Sequence, residues 1–188
     1  MYETINALTV ELSNDPFNPI ISNQLAVEYE KIGQTASAVS FYLRTAEYGF
    51  YTHHEYVYAS LLRASHCFEG QKNRTTTVLN LILKAIAYNP QRPEGWFVLA
   101  QYYERTVKWQ ESYTAAQTGL VFSADGDAPL PIPVGYLGEY VLTFQKAVAA
   151  WWVGRKDESL SLFNILLNQE DIAPNYLEAV KANLAKLG

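Results

Sequence analysis

The sequence predicts an all-α protein built from stacked helical hairpins, and three observations predict it. A phrase recurs: Ser22-x2-Leu25-Ala26-x2-Tyr29 and Trp96-x2-Leu99-Ala100-x2-Tyr103 both set a leucine directly before an alanine and place a tyrosine three residues on. A recurring phrase of this kind marks a repeat protein. In both copies a turn and a second helical pattern follow. Helical periodicity is strong along the chain, and strand-type alternation is weak.

The elements follow in order. Ile5, Leu8 and Leu12 form one apolar stripe, ended before Asn14-Asp15-Pro16. Pro16 and Pro19 break the chain. Leu25, Ala26, Tyr29 and Ile32 define the next helix, and Gly33 is suited to the left-handed cap that closes it. Its partner, from about Thr35 to Tyr48, buries Ala38, Val39, Tyr42 and Ala46 and is closed by Gly49. A longer unit opens at about Thr52, with Leu61, Leu62, Ala64, Cys67 and Phe68 on its first helix. After Gly70 and a polar turn, Val78, Leu81, Ile82, Ala85 and Ile86 make the second face, stopping at Asn89-Pro90.

Pro93 with Glu94 beside it suits a helix N-terminus. Trp96, Leu99, Ala100 and Tyr103 follow on one face, Trp109 falls in the turn region, and Tyr113, Ala116 and Leu120 continue. Three prolines and a glycine between Ser123 and Pro133 predict an irregular loop. A fourth hairpin resumes at about Gly135, with Leu142, Ala147, Ala150 and Trp151 on one helix and Leu160, Phe163 and Leu167 on the other, turning at Gly154. The last helix carries Tyr176, Leu177, Val180, Leu184 and Leu187, with Glu178, Lys181 and Lys186 on its wet face, as a capping helix requires.

Where helix backbones approach closely only a small side chain fits, so Ala26, Ala64, Ala100 and Ala147 are assigned to the seam. These units resemble tetratricopeptide repeats (TPRs). The match is good at Leu25, Ala26, Tyr29, Gly33, Ala38 and Tyr42, and again at Trp96, Leu99, Ala100 and Tyr103. It is looser in the second unit, where Cys67 takes the tyrosine's place, and in the fourth, anchored by Ala147 and Gly154. The resemblance implies a right-handed α-solenoid of about four hairpins with an N-terminal helix and a C-terminal cap. It implies a single domain over residues 1–188, with units at about 18–50, 51–90, 92–122 and 135–170 and the cap at 174–187.

A narrower resemblance rests on Asn89-Pro90-Gln91-Arg92-Pro93-Glu94, Tyr102-Tyr103-Glu104-Arg105, Trp109-Gln110-Glu111-Ser112-Tyr113 and Gly119-Leu120. These runs are similar to helical-repeat segments attached to some bacterial and large-virus glycosyltransferases, and to stand-alone phage-encoded repeat proteins. The chain leaves no room for a transferase catalytic domain beside the repeats, so sugar transfer would need another chain or a missing part of this one.

Composition narrows the function classes. Hydrophobic residues make up 49% and charged residues 18%, enough apolar material for a continuous core. The net charge is −5 with no basic patch, which argues against nucleic acid and anionic membranes as partners. No apolar run approaches the roughly 20 residues that span a bilayer. Cys67 has no second cysteine to pair with, and the acidic N-terminus lacks the basic region of a signal peptide; both point to the cytoplasm.

The sites for chemistry read as structure. Asp125-Gly126-Asp127 has the form of a nucleotide-sugar transferase metal motif, but ordinary turn chemistry explains it. His53-His54 and His66 lack the spacing of a zinc site. Cys67 sits on an apolar stripe as an inert thiol, and Asn73-Arg74-Thr75 is a turn. No Gly-rich phosphate loop or Ser/His/Asp arrangement stands out. The expectation is therefore no enzyme, no cofactor and no metal.

What remains is a surface. The TPR resemblance implies a groove lined by the first helix of each hairpin. By helical phase that face comprises Asn23, Val27, Glu30, Leu61, Ser65, Phe97, Gln101, Glu104, Arg105, Phe144, Val148 and Trp151. Its mixed apolar and polar character suits a peptide or helix from a protein partner. For Phe144, Val148 and Trp151 core packing is the alternative. Three functions stay open: a protein-binding scaffold or adaptor, a helical accessory or fragment of a glycosyltransferase system, and a self-associating homo-oligomeric component of an assembly, viral included.

Overall fold

A computed structural model describes residues 2–71, 73–123 and 129–187. Among the described residues it contains ten α-helices and no strand. They are α1 (Tyr2–Asn14), α2 (Pro19–Lys31), α3 (Thr35–Tyr48), α4 (His54–Glu69), α5 (Thr75–Tyr88), α6 (Pro93–Arg105), α7 (Trp109–Val121), α8 (Glu139–Trp152), α9 (Lys156–Leu167) and α10 (Pro174–Leu187). Two compact units divide the chain: Met1–Pro90 with Ala128–Val134, and Gln91–Asp127 with Gly135–Gly188.

In the first unit α1 packs on α2, and α2 with α3 and α4 with α5 form two hairpins joined through α3 and α4. Asn18 caps α2: its Oδ1 accepts from the amides of Ile20 and Ile21 at 3.0 and 3.1 Å. Pro19 then occupies the first helical turn, where its missing N–H has no partner to lose. Ile5, Leu12 and Leu25 are buried together, with Leu8, Ile21, Tyr29, Ile32 and Phe41 packed around them. Thus α1 is an integral cover for the first hairpin.

In the second unit α6 pairs with α7 and α8 with α9, α7 packs on α8, and α10 closes against α9 and α8. Gly119 lets α6 and α8 come close to α7. A Cβ there would lie 2.8 Å from Leu142 Cδ2 and 2.9 Å from Trp96 Cβ.

The seam assignment holds in both units: Ala26, Ala64, Ala100 and Ala147 are all buried. A second small position lies twelve residues after three of them. Ser112 Oγ donates to the Ala100 carbonyl at 2.9 Å, and Ser159 Oγ to the Ala147 carbonyl at 2.7 Å. Ala38 is buried at the same spacing from Ala26.

Three local expectations differ from the structure: the place of Trp109 and the starts of α4 and α8. Trp109 begins α7, and the turn before it is Thr106-Val107-Lys108. The α4 helix starts at His54, and α8 starts at Glu139, because Gly135 and Gly138 hold positive φ of 84° and 119° that a helix does not use. Gly33 takes the left-handed conformation expected of it and Gly154 shares it, whereas Gly49 and Gly70 close their helices in right-handed conformations. Trp96 is half-buried, whereas Leu99 beside it is buried.

Candidate binding face

The first unit holds Asn23, Val27 and Glu30 on α2 and Leu61 and Ser65 on α4. Asn23, Leu61 and Ser65 are buried; Val27 and Glu30 are half-buried. Asn23 Nδ2 donates to Ser60 Oγ at 2.9 Å, tying α2 to α4 in the interior. Leu61 and Ser65 are therefore interior residues, and Val27 and Glu30 are the accessible members of the set.

Glu30 is the centre of a polar network. Its Oε2 accepts from Tyr42 Oη at 2.6 Å and from Arg63 Nε at 3.2 Å, while Oε1 pairs with Arg63 Nη2. Burial pushes the Tyr42 hydroxyl far above its ordinary range, and the bond to Glu30 adds to the shift. Tyr42 thus stays a protonated donor and holds the carboxylate in place. Burial, and then the Glu30 charge, likewise push the Cys67 thiol up to about 11. The sulfur is thereby held protonated at neutral pH, and Cys67 is half-buried where a buried thiol was expected.

The sequence did not reveal what crosses this face. Pro131, Ile132 and Pro133 come back onto it from the irregular segment after α7. Ile132 is only 7% exposed, and Arg63 Nη1 donates to the Pro133 carbonyl at 3.3 Å. Two cavities flank the segment. One, of about 430 Å³, is bordered by Thr4, Leu8, Asn23, Gln24, Val27, Glu28, Tyr56, Pro131 and Ile132. The other, of about 410 Å³, is bordered by Val27, Glu30, Lys31, Tyr42, Arg63, Ile132 and Pro133. Helical phase identifies which α2 residues face this way, but it cannot show that a distant segment lies there.

The second unit holds the other candidates. Phe97 is buried under the Tyr136 ring, 5.8 Å away and inclined at 60°, so it is packing and not an open contact. Burial raises the Tyr136 hydroxyl above its usual range, with Glu94 and Glu139 adding to the effect. Phe144 meets the Phe163 and Tyr176 rings edge-on at 5.9 and 5.2 Å, which assigns it to the α8–α9–α10 junction. Gln101, Glu104, Val148 and Trp151 are half-buried and Arg105 is exposed. The Lys156 ammonium lies 4.9 Å from the Trp151 ring centre. A further aromatic surface went unread: Trp109 and Trp152 stack at 5.2 Å, with Trp152 60% exposed.

Among the described residues no group of three or more His, Cys, Asp or Glu side chains is placed to hold a metal. The histidines are otherwise engaged: His54 Nδ1 lies 2.6 Å from Tyr88 Oη, and His66 faces Glu69 at 3.5 Å. Asp125-Gly126-Asp127 lies outside the described residues. No described helix is long and apolar enough to cross a membrane.

No family model matches the sequence, and no curated protein matches it. Solved structures do match the fold. A TPR protein from Parabacteroides merdae superposes with a TM-score of 0.70 at 16% identity, covering 97% of this chain and 65% of that one. MamA gives 0.64 at 14% identity over 97% of this chain and 89% of its own. YrrB, described as a TPR protein with an unusual peptide-binding site, gives 0.63 at 15% identity, covering 87% and 75%. The chain therefore has the all-α helical-repeat fold of TPR proteins, as the Leu-Ala-x2-Tyr phrase implies.

Proposed function

We propose that this chain is a non-enzymatic cytoplasmic scaffold that binds a protein partner through the first-helix faces of its hairpins. The observation that carries the reading is a division of labour along those helices. On α2, Leu25 and Ala26 are consumed by packing, whereas Val27 and Glu30 border open cavities. On α6, Leu99 and Ala100 are buried while Gln101 and Arg105 remain accessible. Mixed polar and apolar walls of this kind suit a peptide. The peptide-binding site of YrrB, on the same fold, supports the reading.

A random peptide library panned against the intact chain tests it. Selected peptides should bind, and Val27→Asp or the pair Gln101→Ala and Arg105→Ala should weaken binding by about tenfold or more with unchanged melting. If no peptide is selected, or if all these variants bind as wild type does, the faces are wrongly assigned.

A further inference from the structure

We propose that the α2–α4 face of the first unit recognises a partner segment in which prolines alternate with aliphatic residues, and that residues 129–134 occupy this site as an internal stand-in. The inference rests on the protein-binding reading above and deepens it by naming the ligand's chemistry.

The occupant is a segment of this chain. Pro129-Leu130-Pro131-Ile132-Pro133-Val134 is Pro-aliphatic throughout. Leu130 and Ile132 each precede a proline, which disfavours helical backbone and lowers the ordering cost of a non-helical bound form. The site reads this segment in two ways. Ile132 is buried and, with Val27, borders both cavities, so the aliphatic side chain is the anchor. The Pro133 carbonyl accepts from Arg63, whose guanidinium is aimed by Glu30. A main-chain carbonyl is offered by any sequence, and proline keeps that acceptor although it lacks an N–H. Arg63 therefore supplies affinity while the Ile132 position supplies selectivity.

The fit is also incomplete. Cavities of about 430 and 410 Å³ stay open on either side of Ile132. A longer or bulkier segment of the same type would fill space that the internal one leaves empty. The internal segment competes as a tethered ligand, and short tethers give effective concentrations of about millimolar. A partner must outbid it, so the wild-type chain should show weakened apparent affinity.

The test uses the full chain and a fluorescent peptide of sequence Pro-Leu-Pro-Ile-Pro-Val. Two variants vacate the site: Ile132→Asp, and replacement of residues 129–134 by six alternating Gly and Ser. Anisotropy should show binding to the vacated chain at least about tenfold tighter than to wild type. Arg63→Ala in the vacated background should cost about tenfold or more, and a peptide with aspartate in place of isoleucine should not bind.

The proposal is overturned if a vacated chain of native helicity does not bind the peptide, or binds it regardless of Arg63. It is also overturned if wild type forms a concentration-dependent dimer that the vacated chain does not, since the occupant would then be a second copy. If neither vacated variant folds, the segment is a structural strut and the proposal falls. Selection of helical or acidic peptides by the vacated chain would sink this inference and leave the scaffold reading standing; selection of none by wild type and vacated chain alike would remove both.

Discussion

Val107 holds in the α6–α7 turn the backbone position that Gly33 holds in the α2–α3 turn. Both are left-handed, with φ of 60° and 74°. The hydrogen bonds around them match as well. The Gly33 and Val107 amides donate to Glu30 and Glu104 carbonyls at 3.0 and 2.9 Å, and the next amides reach Tyr29 and Tyr103 carbonyls at 2.9 and 2.8 Å. A β-branched residue pays for this conformation by about 1–2 kcal/mol. Val107 is 67% exposed, so little packing offsets the strain. Val107→Gly should therefore raise stability by about 1 kcal/mol, after subtracting the entropy glycine adds to the unfolded chain. Gly33→Val should lower it by a similar amount or more. Thermal unfolding followed by circular dichroism decides; a destabilised Val107→Gly would refute the strain argument.

The serines behind the seam make a second prediction. Ser112 is buried and its hydroxyl bonds the Ala100 carbonyl, so Ser112→Ala should cost about 1 kcal/mol. In the first hairpin Ala38 lies at the same spacing from Ala26. A serine introduced there can make the same bond, and Ala38→Ser should stay within about 0.5 kcal/mol of wild type. Ala100→Leu, which forces a branched side chain into a fully buried position, should cost roughly 1–3 kcal/mol. Denaturant unfolding midpoints at constant m-value measure all three.

These relationships mark where the sequence was legible. The seam could be read because it is a local steric rule: an alanine between large neighbours at helical spacing needs no knowledge of distant chain. Gly33 could be read for the same reason, and Val107 could not, since nothing in a valine announces a left-handed turn. The binding face was half legible. Helical phase selected Val27 and Glu30, which border the cavities, but it also selected Phe97 and Phe144. Phase gives the direction of a side chain and not what covers it; Tyr136 covers Phe97, and Phe163 and Tyr176 meet Phe144. The return of residues 131–133 onto α2 and α4 was illegible in principle, because it depends on contacts across about 70 residues, such as Arg63 with Pro133. Asn18 was legible and missed: an asparagine directly before Pro19 is a helix-start signal.

Glu158 gives the second unit a pH dependence. Burial acts to raise its pKa, but hydrogen bonds from Lys146 and Tyr113, with the Lys146 and Arg155 charges, win and hold it below the usual carboxylate range. Lys146 Nζ lies 2.9 Å from one carboxylate oxygen, and Tyr113 Oη is 3.0 Å from both. A depressed folded pKa means the unfolded state takes up the proton first as pH falls. The stabilisation is then complete above the unfolded value of about 4.3 and disappears as pH drops through the lower folded value. Glu158→Gln should be less stable than wild type at pH 7 by a few tenths to about 1 kcal/mol, because the pair is partly solvated. The two curves should converge below about pH 4. A gap that persists unchanged at pH 3 would show that glutamine disturbs packing and not charge.

Cys67 reports on the Glu30 network through its charge. Its thiol is raised to about 11, first by burial and then by the Glu30 carboxylate. At pH 8 the thiolate fraction should therefore be about 200-fold smaller than for an unhindered cysteine of pKa about 8.5. Alkylation by iodoacetamide should be slower in the folded chain than in denaturant by at least that factor, and it should accelerate about tenfold per pH unit up to about pH 10. Glu30→Gln removes the carboxylate's share and leaves burial and the opposing Arg63 charge. It should speed alkylation in the folded state by less than the whole deficit, since burial is the larger cause and remains. Equal rates in Glu30→Gln and wild type would place the entire shift on burial. A fast wild-type reaction at pH 8 would mean that burial and Glu30 do not hold the thiol protonated.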